Sequence, residues 1–220
     1  MENFKVQSSI FIFAIIIFLI STVTGNSIDN NLFRWLSGTT SAVVIILLVF
    51  ERWVWKWSIF RVVSELFGIP VLHGTWKGTL EYERDGDGKP GFVDIYTAID
   101  QTLTSISIRS FFKKPSGSSS TIAKIEKLNP NRKRLVYIYK NEAPFGKREG
   151  NPPHDGTCVL EIVGFPLREL SGSYFTERKG AGLVRLNQYS PQLAETLEGA
   201  EKLEYSTRPD SWSKYIKVYH

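Results

Sequence analysis

The sequence predicts a membrane-anchored all-β protein in which two N-terminal transmembrane helices precede a small eight-stranded antiparallel up-and-down β-barrel. Three observations support this fold class. The long apolar runs lie mostly before Val71, a period-two alternation of apolar and polar residues begins after it, and turn-forming residues separate the later runs. The corresponding domains are a transmembrane hairpin at 1–57, an amphipathic connector at 58–70 and a cytoplasmic β-barrel domain at 71–220.

The two apolar segments have the length and the flanking residues of membrane-spanning helices. The first covers Phe4–Val23 and is uncharged from Val6 onward. About 20 helical residues cross the roughly 30 Å hydrocarbon layer. A second span is predicted at about Leu36–Trp55 and ends in tryptophans mixed with cations, which suit the headgroup region.

The charges around the spans predict their orientation. The connection Gly25–Trp35 carries one basic and one acidic residue, whereas Arg52, Lys56 and Arg61 lie at or after the end of the second span. The positive-inside rule therefore places both termini in the cytoplasm. A cleaved signal peptide ending near Gly25 is the alternative, although no A-x-A cleavage site is present.

The region after Val71 reads as a series of strands. His73–Glu83 alternates apolar and polar residues, as a half-buried strand does. Seven further strand-like runs follow, at Phe92–Asp100, Leu103–Lys113, Ser119–Leu128, Lys133–Asn141, Thr157–Val163, Leu170–Arg178 and Gly182–Gln188. Eight strands can close into a small barrel that holds a ligand or is filled by side chains. A β-sandwich is the alternative, and a short helix is predicted after Pro191.

Composition and motifs argue against several function classes. Cys158 is the only cysteine and the three histidines are far apart in sequence, so neither an internal disulfide nor a local zinc motif is expected. The sequence contains no P-loop, dinucleotide-binding glycine run or nucleophile elbow. We therefore predict no enzymatic activity, no metal and no cofactor. After Val71, 22 basic against 18 acidic residues leave a net charge of +4, which suits an anionic ligand or an acidic lipid surface.

Two strands carry candidate binding residues. Tyr174, Thr176 and Arg178 share one face of their strand, and an aromatic ring, a hydroxyl and a guanidinium together can stack on a base and bind a phosphate. Tyr137 and Tyr139 share a face of another strand. From spacing alone, a structural role for these side chains is the better interpretation.

Several motifs in order along the chain carry a family resemblance. After the two spans come GTWKG at Gly74–Gly78, YIYKNEAP at Tyr137–Pro144, HDGTCVLEI at His154–Ile162 and LSGSYFTERKGAG at Leu170–Gly182. This order resembles the two-transmembrane, β-strand-rich effectors of bacterial cyclic-oligonucleotide anti-phage signalling systems (CBASS).

The resemblance implies a function that spacing alone does not. It implies that the domain at 71–220 is a ligand-binding barrel on the cytoplasmic side of the bacterial inner membrane, which binds a cyclic dinucleotide made by a partner cyclic-oligonucleotide synthase. Homo-oligomerisation and disruption of the membrane lipids would follow, killing the infected cell in an abortive infection, with no direct role for a nucleic-acid polymer. The motif-matching candidates for ligand binding are Trp76, Tyr137, Tyr139, His154, Tyr174, Thr176 and Arg178. A lipocalin-like membrane-anchored carrier of an apolar ligand and a scaffold with a filled barrel are the alternatives.

Overall fold

The computed structural model describes residues 30–54, 69–82, 90–112, 116–129, 132–142, 152–164 and 167–207. The first predicted span, Phe4–Val23, and nearly all of the predicted connector at 58–70 lie outside these residues. The chain divides into two compact units. One contains the N-terminal helix together with Thr102–Thr104, and the other contains the β-strands.

The N-terminal unit contains helix α1, Asn30–Arg52, which includes most of the second predicted span. Arg52 lies in its last turn, where a cation interacts favourably with the helix dipole. Seven successive apolar side chains, Val43–Val49, are each between 38% and 65% exposed. In the described ranges, no helix meets both the length and the hydropathy that a membrane span requires.

The second unit is a closed barrel of eight strands. The strands are β1 Gly74–Tyr82, β2 Gly91–Gln101, β3 Ile106–Phe112, β4 Ser116–Asn129, β5 Arg132–Glu142, β6 His154–Val163, β7 Glu169–Thr176 and β8 Ala181–Ser190. Each strand pairs antiparallel with the next, and β1 pairs with β8 to close the barrel. The predicted up-and-down barrel is therefore confirmed, and the β-sandwich alternative is wrong.

The connectivity gives the barrel two different ends. The lower end contains the start of β1 at Gly74 and the end of β8 at Ser190. The upper end contains the β1–β2, β3–β4, β5–β6 and β7–β8 connections, because alternate hairpin connections of an up-and-down barrel lie at the same end. Side chains of every second residue along each strand point into the interior.

The segment before β1 packs into the core near the lower end. Leu72 is fully buried, and its backbone N–H donates to Gln101 Oε1 at 2.6 Å. Gln101 Nε2 in turn donates to the carbonyl of Pro70 at 3.0 Å. Trp76 Nε1 donates to the carbonyl of Leu72 at 2.9 Å, and the indole ring lies 5.0 Å from the ring of Tyr189. Aliphatic side chains complete this core, namely Ile95, Ile99, Ile108, Leu135, Leu160, Leu170 and Leu186.

A short helix covers part of the outer surface of the barrel. Helix α2, Leu197–Lys202, confirms the helix predicted after Pro191. Its N-cap is Thr196, whose hydroxyl accepts from the N–H of Gly199 at 3.1 Å. Ala200 is fully buried and packs with Tyr96 of β2. This apolar cluster is separate from the core inside the barrel and shares no residues with it.

Candidate functional site

The upper half of the barrel interior contains most of the residues that the motifs singled out. Five of the seven candidates lie on inward-facing positions there: Tyr137, Tyr139, His154, Tyr174 and Thr176. Tyr137 and Tyr174 flank Cys158 in one cross-strand row. Tyr139 faces Gly156 in the next row towards the upper end. The barrel therefore gathers side chains that are up to 39 residues apart in sequence.

His154 and Asn141 form the row nearest to the β5–β6 connection. His154 Nδ1 lies 3.0 Å from the carbonyl oxygen of Pro152, which can only accept. In the neutral ring the proton is therefore on Nδ1, and Nε2 is an acceptor. Asn141 Nδ2, at 3.4 Å from His154 Nε2, is then the donor of the second hydrogen bond.

This hydrogen-bond pattern leaves one acceptor of Asn141 without a partner. The amide oxygen Oδ1 is buried, and no donor among the described residues reaches it. A buried polar atom that lacks a hydrogen bond costs about 1–3 kcal/mol, and such atoms are uncommon in folded proteins. Among the described residues, Asn141 Oδ1 is therefore a candidate acceptor for a hydrogen bond from a bound molecule.

Asn141 was not among the residues that the sequence predicted for the site. Its signal was present, because Tyr137, Tyr139 and Asn141 follow at alternate positions and therefore share one face of β5. The predicted strand Lys133–Asn141 ends at this residue, which places Asn141 at the boundary of a turn instead of in the site. The structure extends β5 to Glu142 and turns the amide into the barrel.

Two tyrosine rings of the site lie against glycines on neighbouring strands. A Cβ atom at Gly156 would lie 2.4 Å from Cζ of Tyr139, and one at Gly182 would lie 2.7 Å from Cε1 of Tyr174. These distances are too short for a Cβ atom, so any residue other than glycine at position 156 or 182 would require the tyrosine ring to move. The two glycines therefore make room for the rings, and the aromatic surface of the site depends on both partners.

A chain of buried polar side chains lies next to these rings and includes Tyr137 and Cys158 from the row of Tyr174. Thr97 Oγ1 and Ser110 Oγ are 3.2 Å apart, and Ser110 also bonds to the hydroxyl of Tyr137. The same hydroxyl bonds to the thiol of Cys158. Because each member has a partner, this chain can be buried at low cost and fixes the position of the Tyr137 ring.

We predict that the barrel loses stability in alkaline solution because of this buried cluster. Burial raises the pKa of Cys158 to about 12 and holds the pKa values of Tyr137 and Tyr139 well above their ordinary range. In the unfolded chain these groups ionise near about 8.5 and 10. Above these values the unfolded state releases protons that the folded state keeps, so the free energy of unfolding falls as pH rises. The slope is at most about 1.4 kcal/mol per pH unit for each group.

Urea unfolding at several pH values between 7 and about 11 checks this prediction. The variant Tyr137→Phe should show a shallower decline than the unmodified chain, because it lacks one of the ionising groups. Identical pH dependence of the two proteins would contradict the assignment of Tyr137 to the decline.

Thr176 lies at the end of its strand, and the other two candidates, Trp76 and Arg178, lie outside the upper half of the interior. Trp76 is fully buried in the core near the lower end, where its indole N–H bonds to a backbone carbonyl. Thr176 ends β7, and its hydroxyl accepts from the N–H of Gly180 at 3.0 Å within the β7–β8 turn. Arg178 is exposed in that same turn, at the upper end of the barrel. The structure thus groups Trp76 with the core, and it places the guanidinium at the rim of the site.

A separate groove of about 640 Å³ lies along β1, β2, β7 and β8 near the upper end. Its large apolar side chains, Phe92, Phe175 and Leu183, are each more than half exposed. None of the seven candidates lines this groove. We favour the interior over the groove as the binding site, because only the interior combines aromatic rings with a buried acceptor that lacks a partner. In the part of the chain described by the structure, no group of three or more His, Cys, Asp or Glu side chains is placed to hold a metal ion.

Comparison with known proteins identifies the barrel. Residues 67–188 match the family described as "Cap15, cyclic dinucleotide receptor domain". This match runs from the segment before β1 into β8, and it contains Asn141 together with all seven candidates. The chain belongs to the Cap15 family.

A curated relative supports the same membership. The "CD-NTase-associated protein 15" of Staphylococcus schleiferi is 31% identical to this chain over 153 residues, which are 70% of this chain and 78% of the relative. The resemblance drawn from the sequence motifs is therefore confirmed. Membership of the Cap15 receptor family does not favour the lipocalin-like carrier of an apolar ligand.

Proposed function

We propose that this chain is the membrane-anchored effector of a cyclic-oligonucleotide anti-phage system, and that the upper half of its barrel binds a cyclic dinucleotide. Membership of the Cap15 receptor family supports the class of ligand. The observation that carries the location is the buried Oδ1 of Asn141, which lacks a donor among the described residues. Tyr139 and Tyr174 lie on the same inward face, in the next two rows.

The chemistry of a cyclic dinucleotide fits these groups. A base presents amino or imino N–H groups on its edge, and Asn141 Oδ1 can accept one of them, as amide side chains do when they read adenine. The rings of Tyr139 and Tyr174 offer surfaces on which a base can stack, a contact worth about 1–3 kcal/mol per base. Arg178 and Lys179 lie exposed in the β7–β8 turn at the same end, where cations can contact phosphates.

The membrane part of the proposal depends on the N-terminal segment. The sequence before Val71 carries two long apolar runs with tryptophans and cations at the end of the second. In α1 the seven apolar side chains Val43–Val49 are all exposed, an arrangement that suits contact with lipid. We propose that these segments anchor the chain in the inner membrane with the barrel in the cytoplasm. Ligand binding would favour self-association, which would bring the membrane segments together and disrupt the bilayer.

Calorimetric titration tests the ligand assignment. The full chain in detergent micelles is titrated with a panel of synthetic cyclic dinucleotides, with the corresponding linear dinucleotides as ligand controls. We expect saturable binding of at least one cyclic member. If no cyclic member produces binding heat, the proposed function is wrong.

A pair of tyrosine variants tests the location in the same experiment. Tyr174→Leu should weaken binding by about tenfold, because it removes a stacking surface. Tyr205→Leu is the matched control, since Tyr205 packs against Tyr96 on the outside of the barrel with ring centroids 6.0 Å apart. An equal loss of affinity in both variants would mean that Tyr174 acts through folding alone.

A further inference from the structure

Among the residues that the structure describes, one stretch of β4 has a neighbouring strand on one side only. β4 pairs with β5 over Gly117–Asn129. In the described part of the sheet, it pairs with β3 only over Ser116–Ser119. Beyond the pair of Arg109 with Ser119, β3 has only three more residues, back to its start at Ile106. In the same direction β4 continues for ten residues, to Asn129. The lower part of β4 therefore extends along a side of the sheet that β3 does not cover.

Local features explain why the two strands separate. The register of β4 against β5 shifts between Ser120 and Ile122, which marks a bulge. At the same point the Ser120 hydroxyl accepts from the N–H of Ile108 at 2.8 Å, which replaces a backbone ladder bond. We call the residues beyond this point, Thr121–Leu128, the β4 edge.

The β4 edge has the properties of a pairing surface. Ile122 and Lys124 share one face of β4, with 61% of Ile122 and 58% of the Lys124 side chain exposed, and Leu128 is 45% exposed beside a second register shift between Lys127 and Asn129. A strand edge that presents backbone groups next to exposed apolar side chains is a template for another strand. Proteins that leave such an edge uncovered commonly use it for recognition by strand addition.

We propose that the β4 edge pairs antiparallel with the β4 edge of a second copy of this chain, about a two-fold axis at Ile125. In this register Lys124 lies opposite Glu126 of the second copy, and Ile122 lies opposite Leu128 of the second copy. The symmetry repeats both contacts, because each copy presents the same surface to the other. Opposite charges and apolar pairs directly across a strand pair stabilise it.

The neighbouring registers are less favourable. Residues directly opposite each other in an antiparallel pair point to the same face of the sheet. The two-fold axis must therefore pass through a residue, and each alternative register moves the axis by a whole residue along β4. An axis at Lys124 would place two lysines opposite each other, and an axis at Glu126 would do the same with two glutamates. An axis at Ala123 or Lys127 would place a charged side chain opposite Ile122 or Leu128. Only the axis at Ile125 matches charge with charge and apolar with apolar.

The charged pair is present in each copy before pairing. Lys124 Nζ lies 2.5 Å from Glu126 Oε1, and Arg134 contacts the other carboxylate oxygen at 2.8 Å. These cations lower the pKa of Glu126 and keep the side chain ionised. When two copies meet, each Lys124 can move from its own Glu126 to the facing one without losing its partner.

This inference deepens the proposed function, because it names the surface on which the proposed self-association would occur. It rests on the proposed function only for the expectation that the chain self-associates. Ligand binding in the barrel interior uses other residues, so the two proposals fail separately.

Disulfide trapping tests the register directly. Full chains carrying Lys124→Cys are mixed in detergent micelles with full chains carrying Glu126→Cys and oxidised, without ligand and with each cyclic dinucleotide of the panel. Facing positions on paired strands are about 4.5–5.5 Å apart between Cβ atoms, close enough for linkage after small movements. We expect a linked pair in at least one condition. Lys140→Cys replaces Lys124→Cys in the control mixture, since Lys140 is an exposed lysine on β5 away from the edge. Equal yields from the two mixtures in every condition would overturn the proposal.

Charge reversal gives an independent measurement. Lys124→Glu turns two attractive contacts into two repulsive ones and should weaken self-association by about tenfold in sedimentation experiments. Adding Glu126→Lys to the same chain should restore it, whereas the matched control Lys140→Glu should have no effect. Unchanged self-association in Lys124→Glu would contradict the proposal. Calorimetric titration of Lys124→Glu with the panel should show the same ligand binding as the unmodified chain. If the unmodified chain itself gives no binding heat, that result counts against the proposed function and not against the β4 edge.

Discussion

Replacing Asn141 by leucine is expected to weaken cyclic dinucleotide binding by about 10- to 100-fold. The side chain keeps its approximate size but loses Oδ1, the buried acceptor that has no donor among the described residues. A hydrogen bond in a water-excluded site is worth about 1–3 kcal/mol when its loss leaves the ligand donor unpaired, which corresponds to that range of affinity. Calorimetric titration of the full chain provides the measurement.

The stability of Asn141→Leu separates a ligand contact from a folding role. The free energy of unfolding should change by less than about 1 kcal/mol. Removal of the orphan acceptor is favourable, while His154 Nε2 loses the amide donor at 3.4 Å. Asn187→Leu, the same substitution at an exposed position of β8, is the matched control and should bind normally. Normal binding by Asn141→Leu would show that Oδ1 does not contact the ligand.

Replacing Trp76 by alanine is expected to destabilise the barrel by about 3–5 kcal/mol, the usual cost of removing a large buried aromatic side chain. Trp76 is fully buried, lies 5.0 Å from the Tyr189 ring and donates to the carbonyl of Leu72. The indole therefore supports both the core and the segment that leads into β1. Chemical unfolding of the variant measures the loss.

A milder variant shows whether Trp76 also takes part in binding. Trp76→Phe keeps an aromatic ring in the core but removes the Nε1 donor, which should cost about 1–3 kcal/mol of stability. Its affinity for the ligand should equal that of the unmodified chain, because the ring packs near the lower end. A tenfold loss of affinity with unchanged stability would instead place Trp76 in the site, as the sequence motif suggested.

The architecture was predictable from the sequence because its signals are local. The alternation at His73–Glu83 reflects the two faces of β1, and the glycine- and proline-rich separators fall between strands. The register of β1 against β8 and the partial separation of β3 from β4 are long-range features. They depend on contacts between residues distant in sequence, such as Ser120 with Ile108, which no local pattern reveals.

The candidate site was predictable to a smaller extent. Tyr139 and Tyr174, both on motif strands, lie in one half of the interior, where period-two positions of each strand share a face. The proposed role of Asn141 depends on the hydrogen bond between His154 Nδ1 and Pro152, which fixes the direction of the amide. Trp76 donates to the carbonyl of Leu72, which precedes β1, and the N–H of Leu72 donates to Gln101 at the end of β2. The placement of Trp76 in the core depends on these two contacts. Such three-dimensional partners are absent from a linear motif.

Photo-crosslinking with an azido-purine cyclic dinucleotide tests the central claim most directly, because it marks the residues that line the occupied site. The full chain is irradiated with the bound probe, and the adducts are mapped by mass spectrometry of its peptides, with unmodified ligand as competitor. The interior site predicts competitor-sensitive adducts in the peptides that contain Tyr139, Asn141 or Tyr174. Adducts confined to the outer groove at Phe92 and Leu183, with none on the interior peptides, would contradict it.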